Sequence, residues 1–260
     1  MSSLVSWDFR TDKVLQAIRE GKRLDARAFD QYRKINIVKN ISENADGSAR
    51  VKIGETDVIV GVKMITSTPF PDSPDAGTLN VGVELLPIAS PTFEAGPPDK
   101  ESIELARVVD RGIRESKCLD FKEWSIEEGT LCWTAFVDIY ALNHDGNLFD
   151  AAALASIVSL LETKMPKLED KKIVKGEYKG KIKLSRKPLL CTFAKIANSV
   201  VADPSLPEEK AQSARFSVAV TEDDYLTAFQ KGGLGSFTAS EIDSAIDIAL
   251  KNTKEIRKQI

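Results

Sequence analysis

The chain is poor in the residues that carry most side-chain chemistry. Its 260 residues include a single histidine, His144, which excludes His-rich metal sites and any mechanism needing two imidazoles. The three cysteines, Cys118, Cys132 and Cys191, stand far apart in the sequence, so there is no CxxC zinc or redox pair. That usage fits a reducing interior and a cytoplasmic location. No apolar run approaches the ~20 residues that span a bilayer, so no membrane association is expected. The opening MSSLVSWDFRTDK holds acids and lacks the apolar stretch of a signal peptide. Positive charge is not in excess either: 36 Lys and Arg face 39 Asp and Glu, a net charge of −3. Coating of nucleic acid by bulk charge is thereby excluded, and any such contact must be local. GxSxG, P-loop and HExxH motifs are missing.

What remains is an ordinary globular composition, 42% hydrophobic and 29% charged, enough for one large domain or two small ones. Val14, Leu15 and Ile18 form a short helical stripe, Gly21 offers a stop, and a second short segment is expected over 24–29. Residues 1–30 therefore read as a helical extension. Strands follow at 35–38, 50–53 and 56–64, the last rich in β-branched side chains, with a hairpin turn at Gly54-Glu55. Two Pro-rich loops, 66–77 and 87–99, flank a strand over 78–86. Residues 101–116 carry the clearest helix. Strand 131–142 leads through Asn143-His144-Asp145-Gly146-Asn147 into helix 149–164, so 31–166 forms a first strands-then-helix half. Lysine-rich 167–185 reads as an exposed excursion with its turn at Tyr178-Lys179-Gly180. A second, shorter half, 186–260, ends in helix 239–257, opened by a Thr238/Glu241 capping box. The whole is α+β, two unequal halves of one plan.

Three groups of residues are candidates for chemistry. On helix 101–116, Leu105, Val108, Val109 and Ile113 face one way while Arg107, Arg111 and Arg114 share a ridge outside them. Three guanidiniums there make a local anion site; the alternative is a solvated face paired through Glu104, Arg107 and Asp110. The Asp145-Gly146-Asn147 turn enters a helix, where backbone N–H groups hold phosphates. Yet Leu148, Phe149 and Asp150 follow, which favours a tight turn and an apolar anchor. Asp203, Glu208 and Glu209 are acids suited to Mg²⁺ binding or general acid work, or simply to a turn and a helix start.

Taken together, several segments resemble the RNase PH superfamily. Gly21-Lys22-Arg23-Leu24-Asp25-Ala26-Arg27 is similar to its R-x-D-G-R entry motif, with Ala26 in place of glycine. The stretch from Gly47 to Val58 matches the spacing of its first hairpin. The Glu101-Ser102-Ile103-Glu104 helix start, the Asp145-Gly146 turn and Val201-Ala202-Asp203-Pro204 then occur in the family's order. The resemblance is nearest to the catalytically inactive RNase PH-like subunits of the archaeal exosome, and it implies the two-lobed, S5 domain 2-like fold. Active members carry an arginine pair where this chain has Lys100 and Glu101, and a phosphate loop where it has Asn147 and Leu148. Asp203 and Glu209 fall at the two catalytic acid positions. These six residues are therefore expected to be degenerate catalytic positions, and no cofactor or metal is expected.

The resemblance further implies a ring alternating with a catalytic homologue, with RNA-binding cap subunits as further partners. Arg107 and Arg111, with Arg114 on the same ridge, would contact single-stranded RNA beside the partner's active site. Two alternatives are an active phosphorolytic nuclease and a scaffold that never touches RNA. Asp203→Ala is expected to leave turnover unchanged.

Overall fold

A computed structural model describes residues 2–260, with side-chain surroundings from residue 10 onward. The first half is built on a six-stranded sheet. Strands β1 (Ile35–Lys39), β2 (Gly47–Ile53), β3 (Thr56–Ser67) and β4 (Thr78–Leu85) come first in the chain, and β5 (Ser125–Glu127) and β6 (Leu131–Asn143) complete it. The spatial order is β1-β2-β3-β6-β4, with β5 paired to β6. Alternation on β3 sends Val58, Val60, Val62 and Met64 into the core, and the register Val60↔Ile139 and Val62↔Val137 aligns them with equivalent side chains of β6. β4 runs parallel to β6, which requires the crossover through helix α2 (Lys100–Glu115).

The second half is a four-stranded antiparallel sheet of order β10-β9-β11-β12. Its strands are β9 (Leu189–Ile196), β10 (Ser199–Ala202), β11 (Ala214–Val220) and β12 (Leu226–Gly233). Helix α3 (Leu148–Glu162) lies against β2 and β3 of the first sheet and β9 of the second. A helix between two sheets must be apolar all round, and its residues from Leu148 to Leu160 are all buried. Helix α5 (Ala239–Arg257) covers the second sheet, seating Ala245 and Ala249 among Phe193, Phe216 and Val218. The expected capping box forms, with Glu241 N donating to Thr238 Oγ1 and Thr238 N to the Glu241 carboxylate.

Two local expectations fail. Helix α1 (Ser2–Arg19) ends just before Gly21, and no helix forms over 24–29. Ala26 there takes φ +62°, a left-handed turn that costs an alanine roughly 1–2 kcal/mol and a glycine little. The glycine of the family motif suits this backbone better than the residue present. Residues 20–34 are instead tethered to the second half by three arginines. The lysine-rich segment is a twisted hairpin, β7 (Lys164–Glu169) and β8 (Lys172–Lys181), whose turn is Asp170-Lys171, both left-handed. Gly180 contributes only an irregularity within β8, because Tyr178 pairs across to Pro166.

Candidate functional site: an arginine groove and a closed acidic centre

Helix α2 begins at Asp99, whose carboxylate accepts from Ser102 N at 2.8 Å. Its apolar stripe of Leu105, Val108, Val109 and Ile113 is buried, so the opposite side must face out. Arg107, Arg111 and Arg114 line one open groove of about 410 Å³ with Leu79, Asn80 and Val81 of the edge strand β4. The structure thus brings the three together, but not as equals. Arg111 donates to Phe229 O at 3.2 Å and to Gln230 Oε1 at 3.4 Å, tying α2 to β12. Arg114 holds Asp110 through two nitrogens at 2.8 and 3.1 Å, donates to Leu79 O and lies over the Phe121 ring. The alternative Glu104–Arg107–Asp110 pairing does not form, because Asp110 is taken by Arg114 and Glu104 accepts from Arg215 on β11 and from Gln230. Arg107 is exposed and makes no ion pair with the described residues. One guanidinium of the three is wholly available.

Of the six positions expected to be degenerate, all but Lys100 gather around the start of α3. Lys100 and Glu101 are exposed at the first turn of α2. Glu101 lines a cleft of about 290 Å³ with Glu104, His144, Leu148, Phe149, Glu209, Lys210 and Arg215. Asn147 is fully buried in a left-handed conformation, caps α3, and donates to Asp150 and Asp203. Gly146 before it must be glycine, since its φ is +88° and a Cβ would come within 2.4 Å of the Ser205 backbone. Leu148 is a buried anchor. The backbone N–H of Asn147 does not wait for a phosphate: it donates to Glu209 Oε1 at 2.7 Å. The chain's own carboxylate occupies the place where a helix N-terminus would receive an anion.

Burial pushes the Glu209 carboxyl up to about 7, against the pull of the Asn147 N–H and of Arg215. Burial, with Lys210 and Arg33 nearby, lowers His144 to about 4. His144 is therefore neutral at pH 7, and its 3.8 Å approach to Glu209 is not an ion pair. The ring stacks on Phe93 instead. Glu209 retains its proton in the fold to higher pH than in the unfolded chain, so its ionisation opposes folding as pH rises from about 4.5 to 7. Glu209→Gln keeps an acceptor for Asn147 and removes that cost. Thermal unfolding is expected to show little difference at pH 4.5 and a gain of about 1–3 kcal/mol at pH 8. A gain independent of pH would show that Glu209 is not titrating.

Asp203 is the least available of the acids. Its side chain is fully buried, with Oδ1 accepting from Arg33 and Asn147, and Oδ2 from Arg27 Nη1 and from Arg33 N and Nε, all within 2.7–2.9 Å. Burial alone would raise its pKa, but the Arg33 guanidinium and N–H hold it below the ordinary carboxylate value. Arg23 completes the cluster, forking onto the Glu208 carboxylate at 2.6 and 2.8 Å and donating to Ala202 O and Asp203 O. Glu208 also accepts from Ser205 N, capping the short helix α4 (Leu206–Ala211). Asp203→Ala, whatever its effect on turnover, is therefore expected to cost folding stability. Asp203 is the counter-ion of two arginines and a structural keystone, with no free lone pair for a reacting group. In the sequence Arg23 and Arg27 stand out only as part of a motif, and no local pattern marks Arg33.

Two lobes joined by a buried helix, a helix start fed by an Asp-Gly turn, and an acid-bearing loop facing it define an RNase PH-like protein. The comparisons agree. The first domain model of the RNase PH 3′ exoribonuclease family matches residues 31–166 and the second matches 188–252. The chain belongs to that family. It is 45% identical over 251 residues to the exosome complex component Rrp42 of Thermococcus gammatolerans, covering 95% of this chain and 92% of that one. It is 46% identical, again over 251 residues, to the Rrp42 component of Pyrococcus horikoshii, with the same coverage of both chains. Among solved structures, a chain of the Archaeoglobus fulgidus exosome with RNA bound to the active site superposes with a TM-score of 0.93 at 42% identity, covering 98% of this chain and 99% of that chain. Rice Rrp46, at 19% identity and a TM-score of 0.70 over 90% of this chain and 96% of its own, shares the fold.

Proposed function

We propose that the chain is a noncatalytic, ring-forming and RNA-contacting subunit of an exosome, a phosphate-dependent 3′→5′ exoribonuclease. Its relatives are exosome components over nearly their whole length, which supports the assembly. The observation that carries the absence of chemistry is the contact from Asn147 N–H to Glu209. Phosphorolysis needs inorganic phosphate beside the scissile bond, held by cations and N–H donors. Here the donor is spent on an internal carboxylate, Glu101 and Glu104 line the same cleft, and Asp203 is locked in an ion cluster. Of the two cations in that cleft, Arg215 is already paired with Glu104, so an anion would meet three acids and a single lysine, Lys210, unpaired among the described residues.

In this reading the α2 groove presents Arg107 to RNA at the boundary with a catalytic RNase PH-like subunit, and RNA-binding cap subunits sit on the ring. Arg111 and Arg114 shape the groove more than they bind, since both guanidiniums are held by the protein. The test is a degradation assay on this chain alone, its catalytic partner alone, and both mixed. This chain alone is expected to release no nucleoside diphosphate from RNA in phosphate buffer. The mixture is expected to elute near six chains on sizing and to degrade processively. Release of nucleoside diphosphates by the isolated chain would establish an independent active site.

A further inference from the structure

The β7–β8 hairpin is the one strongly basic element of this acidic chain. Between residues 164 and 181 it holds seven lysines against three acids, in a protein of net charge −3. Its lysines fall into two groups. Lys167 is paired with Glu169 and Glu177, Lys171 with Glu127, and Lys181 with Glu162. Lys172, Lys175 and Lys179, all exposed, form no ion pair with the described residues. In the chain Tyr178 lies between Lys175 and Lys179; it is 40% exposed, its hydroxyl donates to Asp46 Oδ1 at 3.4 Å, and the Lys164 ammonium is 5.5 Å from its ring centre. Gly176 and Gly180 take φ of +81° and +117° with open space around them, so β8 bulges out from its partner strand.

From this we propose that the hairpin is a second RNA-contact element, binding the phosphate backbone of single-stranded RNA through Lys172, Lys175 and Lys179, with Tyr178 as a base-stacking surface. The inference does not rest on the α2 groove; the hairpin's own charge and ring carry it. Lysine is depleted at protein–protein interfaces, whose centres are apolar and aromatic. This surface is lysine-rich, and its aliphatic residues Ile173, Val174 and Leu168 are drawn partly inward. Cations interleaved with an exposed aromatic ring on a strand match the sequence-tolerant recognition of single strands, where every base has a face to stack and every linkage a charge. Because all the cations are lysines, the contact is a point-charge one and carries no base preference.

The test uses the complete ring, reconstituted with the catalytic partner, and oligo(U) as the probe. In the Lys172→Gln/Lys175→Gln/Lys179→Gln variant, three phosphate contacts are lost, so the slope of log affinity against log salt is expected to fall by about 2. Affinity at low salt is expected to drop about tenfold or more, while the three-arginine variant at the same positions stays near wild type. Photo-crosslinking of thiouridine RNA is expected to label the peptide containing Tyr178. Arg107→Glu measured in parallel separates this site from the α2 groove, because either can fail without the other. An intact ring with unchanged affinity and salt slope in the glutamine variant overturns the proposal. So does a glutamine variant that keeps its RNA affinity but loses a protein partner, which would make the hairpin a protein-docking surface.

Discussion

Asp203→Ala is expected to destabilise the protein by about 3–5 kcal/mol, the usual consequence of removing one partner from a buried ion pair. The substitution leaves the Arg27 and Arg33 guanidiniums, each about nine-tenths buried, without their shared counter-ion. It also strips Asn147 Nδ2 of one acceptor at the entrance to α3. Domains of this size have ~5–15 kcal/mol in total, so the loss is a large fraction of the whole. It should be visible as a lower unfolding midpoint of the ring and a poor soluble yield of the chain alone. The effect has a defined pH dependence. Asp203 has a depressed pKa in the fold, so its stabilisation is complete above the ordinary carboxylate value near 3.8 and is lost only as pH falls through the lower folded value. The cost of the substitution is therefore expected to be flat from pH 5 to 8 and to vanish only in strong acid. A ring that assembles with Asp203→Ala and melts like the parent would sink the keystone role.

Arg107→Glu in the assembled ring is expected to lower RNA affinity by about ten- to a hundredfold at low salt and to slow degradation by the catalytic partner. A charge-assisted contact is worth ~1.5–3 kcal/mol, and reversal adds repulsion of the phosphate. Stability should hardly change, because the side chain is exposed and its substitution breaks no ion pair to the described residues. Screening predicts that the difference shrinks as salt rises. Arg114→Ala is expected to do less to RNA binding, since Asp110 already neutralises that guanidinium. Substitution of Arg111 is a poor probe, because it also removes a tie between α2 and β12. Unmodified degradation of long RNA by an intact Arg107→Glu ring, across low and moderate salt, would remove α2 from the RNA path.

The difference between these arginines bears on how far the amino-acid pattern alone reaches. The elements with the strongest local signals were legible, although a helix over 24–29 and a turn at 178–180 were not formed. The β-branched run from Thr56 to Val62 makes a buried strand, the stripe of α2 sets which side faces out, and the Thr238/Glu241 box starts α5. The order of short motifs was enough to reach the family, because several weak matches in one sequence order are jointly specific. The Lys100/Glu101 and Asn147/Leu148 departures likewise speak against a phosphate site from sequence alone. Tertiary structure alone settled what each charged group is doing. Asp203 meets Arg27 and Arg33 across 176 and 170 residues of chain, Glu208 meets Arg23 across 185, and Glu209 meets the Asn147 N–H across 62. The same separation hides the difference between Arg107, which is free, and Arg111, whose acceptors on β12 are 118 and 119 residues away. Periodicity reports which side of a helix faces water and is silent about partners brought by another strand. A carboxylate in a turn reads alike whether it will hold a metal, donate a proton or neutralise two buried guanidiniums. Only the burial and the donors around it distinguish these, and the fold supplies both.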